Sequence, residues 1–158
     1  MAQAFLIPYV LCFTIKLMNQ RIIQVSLLVA DYDEAIDFYT KVLDFQVVED
    51  KPMSKTKRWV VIKPNGEGIF SLLLAKATNE EQAAAIGNQS GGRVFLFLHT
   101  DNFQRDYDKL VANGVKIIRG PAEEAYGTVA VFKDLYGNLW DLIQPAADST
   151  TVESLRNA

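Results

Sequence analysis

The chain has 158 residues, 49% hydrophobic and 22% charged, with a formal net charge of −3, one histidine and one cysteine. That length allows one domain or two fused half-domains, burying roughly 70% of the unfolded surface. Mild acidity without a lysine- or arginine-rich block argues against nucleic acid or a membrane surface as partner, and the lone Cys12 excludes an intramolecular disulfide or a cysteine-clustered zinc site, which suits a reducing cytoplasm.

Residues 1–20 form an apolar N-terminal extension. Its run from Ala4 to Ile15 is broken by Pro8 and is shorter than the ~20 residues of a membrane-spanning helix. It also lacks the basic lead and small-residue cleavage site of a secretory signal. It reads either as an upstream extension before a start at Met18, or as a β-prone segment (Tyr9, Val10, Phe13, Ile15) that packs on the domain or a partner. The second is the expectation.

The next stretch, 21–78, opens on a β-branched, leucine-rich run, "IIQVSLLV", as a buried strand does. Asp31 and Glu34 have capping-box spacing, and Ile36, Tyr39 and Leu43 follow at helical spacing. Three further apolar runs, "FQVVEDKP", "RWVVIKP" and "IFSLLLAKA", complete a β-α-β-β-β plan. Residues 79–92 are a linker with a short helix capped at Asn79 and a flexible Gly91-Gly92 joint.

Residues 93–145 repeat the plan. "RVFLFLHT" is a strand; Asn102 or Asp101 caps a helix with Phe103, Tyr107, Leu110 and Val111 on one face; Gly114 stands where a left-handed helix end favours glycine. "VKIIRGP", "TVAVFKD" and "LWDLIQP" follow. Laying Gln24 on Phe95 also lays Val29 on Thr100 and Tyr39 on Leu110. Residues 146–158 form a polar C-terminal tail. The expected fold class is α+β: two pseudo-repeated βαβββ modules whose curved mixed sheets, each with a helix on its convex side, enclose a central cleft, the kind of place that binds small ligands.

"VSLLVADYDEAIDFYTKVLDF" and "FKDLYGNLWDLIQP" resemble the two most recognisable segments of the vicinal oxygen chelate superfamily (glyoxalase I, bleomycin- and fosfomycin-resistance proteins, extradiol dioxygenases). The resemblance covers about residues 21 to 145. It implies the paired-module fold, while the superfamily's functions range from lyases and dioxygenases to plain binders. In its metal-dependent members four inward positions hold the ion, and the resemblance lays these on Gln24, Ser71, Phe95 and Asp141. Gln24 can ligate through its amide oxygen. Asp141 stands where glutamate is usual and is one methylene shorter. Ser71 is a poor ligand and Phe95 is none, so the expectation is no complete metal site.

His99 is the only histidine, and an iron site with two histidines and one carboxylate needs two; a dioxygenase reading fails on that count. Strand alternation puts Phe95, Phe97 and His99 on one face, His99 roughly 13 Å beyond Phe95, at the cleft rim. Its ordinary role is a strand-end histidine bonded to nearby backbone or carboxylate. Asp141 is either a structural carboxylate, bonded to Gln24 across the cleft, or a proton acceptor with a pKa raised by burial. Trp59, Phe95, Phe97 and Tyr126 read as core or as a stacking platform, and Trp140, alternating with Asp141, as core. "GNQSGG" lacks the lysine of a phosphate loop, and neither Ser90 nor Cys12 has a histidine that would pair with it as nucleophile.

The resulting expectation is a cytoplasmic homodimer that binds a small apolar or aromatic molecule. Gln24, Ser71, Trp59, Phe95, Phe97, His99 and Tyr126 are its candidate ligand contacts, Asp141 its candidate catalytic residue, and no cofactor is required. Two alternatives stand beside it: a glyoxalase I-like lyase or isomerase that uses a divalent metal ion on a small carbonyl compound, and a non-catalytic assembly or regulatory module.

Overall fold

A computed structural model describes residues 20–147; the expectation of a packed N-terminal segment and most of the polar tail lie outside them. The elements run β1 (Gln24–Val29), α1 (Tyr32–Lys41), β2 (Gln46–Pro52), β3 (Arg58–Lys63), β4 (Ser71–Lys76), α2 (Glu80–Ala85), β5 (Val94–His99), α3 (Phe103–Ala112), β6 (Ile117–Glu124), β7 (Gly127–Lys133) and β8 (Leu139–Pro145). Among the described residues no helix is long and apolar enough to cross a membrane.

Each helix starts at a side-chain cap. Asp31 accepts the N–H groups of Asp33 (2.9 Å) and Glu34 (3.3 Å), Asn79 that of Gln82 (2.8 Å), and Asn102 that of Arg105 (3.0 Å), filling donors that the first helical turn leaves open. α3 ends at Gly114, whose φ of +70° favours glycine.

The strands form two four-stranded sheets, ordered β1-β4-β3-β2 and β5-β8-β7-β6. In each, the first strand runs parallel to the fourth and the other pairs are antiparallel. The fold is therefore α+β with two similar βαβββ modules. β1 and β5 alternate between a helix-covered face (Leu27, Val29; Leu96, Leu98) and an open one (Ser26; Phe97, His99).

The covered faces of both modules share one core. Tyr39 of α1 lies 6.0 Å, ring to ring, from Trp140 of β8, and Phe45 and Phe132 complete the aromatic cluster at 6.2 and 6.0 Å from Trp140. All four are at least 96% buried, each contributing about 1.5–3 kcal/mol through burial. The helix sides of the two sheets thus meet within the chain, and the open faces look outward.

The junction turns on Asp134. Its Oδ2 accepts from Tyr39 Oη (2.8 Å), Asn138 Nδ2 (2.8 Å) and Trp140 Nε1 (3.2 Å), and its Oδ1 from the backbone N–H groups of Tyr136, Gly137 and Asn138. Burial, followed by the Asp134 charge, pushes the Tyr39 phenol well above its ordinary pKa. The linker docks on the same turn: Gln89 N–H donates to Asn138 Oδ1 at 3.2 Å, and a Cβ on Gly87 would sit 1.9 Å from the Tyr136 carbonyl oxygen.

Candidate functional site on the open sheet faces

In the first sheet, register puts Gln24 opposite Ser71, Ser26 opposite Leu73, and Val61 opposite both Leu73 and Glu49. Gln24 Nε2 donates to Ser71 Oγ at 3.1 Å, and Trp59 Nε1 to Glu49 Oε2 at 3.0 Å. The sequence-predicted residues Gln24, Ser71 and Trp59 therefore share one open, mixed polar and apolar face.

In the second sheet, Phe97 lies opposite Asp141, His99 opposite Ile143, Val131 opposite Asp141 and Val129 opposite Ile143. Arg119 joins that face through its pairing with Val131. Ile143 and Val129 are a buried floor, while Phe97 is 62% exposed. Trp140 points the other way, into the core, as alternation demands.

Phe95 is the exception. The β5–β8 register shifts between Val94 and Leu96, a bulge that breaks alternation, and Phe95 packs half-buried against the core. Phe97, and not Phe95, stands across from Asp141. His99 is exposed at the strand end and, among the described residues, makes no side-chain hydrogen bond to the backbone or carboxylate partner expected for it. Tyr126 sits half-exposed in the β6–β7 turn.

Asp141 Oδ1 is buried and, among the described residues, has no hydrogen-bond partner. Gln24, expected as its partner, instead bonds Ser71. Burial raises the Asp141 carboxyl pKa from its ordinary value, against the opposing pull of the Arg119 cation. Protonated, the acid can donate a hydrogen bond; ionised, it can only accept one.

The four family metal positions do not fit a divalent ion. Phe95 has no donor atom and faces the core, Ser71 is a weak ligand already bonded to Gln24, and Gln24 and Asp141 leave too few oxygens for a coordination shell. Among the described residues no three His, Cys, Asp or Glu side chains are grouped to hold a metal ion.

Sequence reasoning missed Asp134 and Gln89. Asp134, three residues before Gly137 in "FKDLYGN", carried the signal of an aspartate that caps its own turn. Gln89 carried none, because its partners lie far along the chain.

The chain is similar to known proteins over these modules. The Glyoxalase/Bleomycin resistance protein/Dioxygenase superfamily matches residues 21–142. An uncharacterized protein of Shewanella frigidimarina (strain NCIMB 400) is 57% identical over 128 residues, covering 80% of this chain and 95% of that one. The crystal structure of UcmS2 is 30% identical with a TM-score of 0.69, covering 80% of this chain and 98% of that one. TnmS3, an antibiotic binding protein from Streptomyces sp. CB03234, is 29% identical with a TM-score of 0.65, covering 81% of this chain and 98% of that one.

Proposed function

The chain belongs to the Glyoxalase/Bleomycin resistance protein/Dioxygenase superfamily, and from that premise we propose that it is a small-molecule binding protein whose ligand, a planar aromatic compound bearing a carbonyl, lies on the open face of the second sheet. The ring rests on Phe97, over the apolar floor of Val129 and Ile143, and neutral Asp141 donates a hydrogen bond to the carbonyl oxygen. The observation that carries this reading is the buried, unpartnered Asp141 Oδ1 beside an exposed phenylalanine.

The similarity to an antibiotic binding protein supports a binder, and the donor chemistry at the four family positions favours one that works without a metal. A second copy of the chain would complete the site as a cytoplasmic homodimer, facing the sheet of Gln24, Ser71 and Trp59 in one copy toward the sheet of Phe97 and Asp141 in the other. Two features support this pairing: the open faces look outward, and the outer strands β2 and β6 expose Val47, Val48 and Ile118.

Titration with 9-fluorenone, followed by tryptophan fluorescence and melting temperature, tests the reading. Saturable quenching and a higher Tm are expected, with Phe97→Ala weakening binding about tenfold. Absence of any saturable response contradicts it.

A further inference from the structure

Where β5 begins, β7 ends and β8 begins, the linker borders an open pocket of about 220 Å³ whose lining includes Ser90, Gly92, Arg93, Lys133, Gly137 and Leu139. No carboxylate lines it. Arg93 and Lys133 have no acidic partner among the described residues; Arg93 is exposed and Lys133 partly exposed, so both cations are free to meet an anion there. Lys133 and Leu139 are register partners, and Asp141 follows two residues along the same face, roughly 6.7 Å on.

We propose that this pocket is an anion subsite, taking a carboxylate or phosphate group of the ligand between the Arg93 guanidinium and the Lys133 ammonium. It extends the proposed ligand surface by naming its charge: the ring lies at Phe97, the carbonyl at Asp141 and the anionic group at the linker end. Its link to a ligand rests on the binding reading; its affinity for an anion does not. The guanidinium offers a planar fork of donors and the ammonium a point charge, a pair suited to an oxyanion.

Inorganic phosphate is the direct probe, replacing chloride at constant ionic strength while the amide NMR signals of Gly92 and Gly137 are followed. Saturable shifts at both are expected, with Arg93→Gln and Lys133→Gln each weakening phosphate about tenfold, as befits one charge-assisted hydrogen bond. No saturable shift, or shifts unchanged in the double variant, overturns the subsite. A second arm compares 2-naphthoate with 2-naphthamide: the carboxylate binds wild type more tightly, and the double variant loses that preference. Equal binding of the two by wild type overturns the link between the subsite and the ligand. If phosphate titrates these glycines while 9-fluorenone fails to bind, the aromatic reading falls and the anion subsite stands; the reverse result removes the subsite alone.

Discussion

Asp141 and Asp134 show how differently one residue type is used here. Asp134 receives six hydrogen bonds in the core, whereas Asp141 has a buried oxygen with none. Asp134→Ala strands the Tyr39, Asn138 and Trp140 donors and is expected to cost at least about 3 kcal/mol by denaturant unfolding, against about 1 kcal/mol for Tyr39→Phe. Asp141→Asn is expected to do the opposite. The folded-state pKa of Asp141 is raised, so its contribution to stability is present at low pH and is lost as pH rises through that raised value. At neutral pH the Asn variant should therefore melt no lower than wild type and, because its amide N–H can donate to the same carbonyl, keep ligand binding. The same sign applies to the ligand: wild-type affinity for 9-fluorenone should fall as pH rises through the Asp141 titration, and the Asn variant should show no such step. A pH-independent wild-type affinity would return Asp141 to a structural role.

At the scale of elements, what was legible in the sequence was local. The caps at Asp31, Asn79 and Asn102 and the left-handed Gly114 depend on residues within a turn of each other, and they stand where spacing placed them. Val111 does not: spacing put it on the apolar face of α3, but it is 52% exposed because the buried stripe is narrower, centred on Phe103 and Leu110. The bulge at Phe95 was illegible for a different reason. Register is a property of two strands, and the bulge appears only when β5 is laid on β8. Gln89 is the clearest long-range case. Its side chain accepts from Leu28 N–H at 2.7 Å and donates to the Ser26 carbonyl at 2.7 Å, closing the free edge of β1 as another strand would. Gln89→Ala is expected to cost about 1–2 kcal/mol and to speed hydrogen exchange at the Leu28 amide ahead of its β4 neighbours; unchanged exchange there would deny it that role.

For the whole molecule, periodicity told which face of each sheet was apolar but not which faces meet. Within one chain the helix faces meet through Tyr39, Phe45, Phe132 and Trp140, which leaves the open sheet faces to line the expected cleft. A cleft then requires a second copy, and light scattering at micromolar concentration is expected to return twice the 17.7 kDa chain mass; a monomer mass would leave each open face to act alone. A ligand held between the two kinds of open face is tested by amide chemical-shift mapping of the protein with 9-fluorenone. Saturable shifts are expected at Phe97, Val131 and Asp141 in the second sheet together with Gln24, Ser26 and Leu73 in the first. Shifts confined elsewhere, or absent, would contradict it.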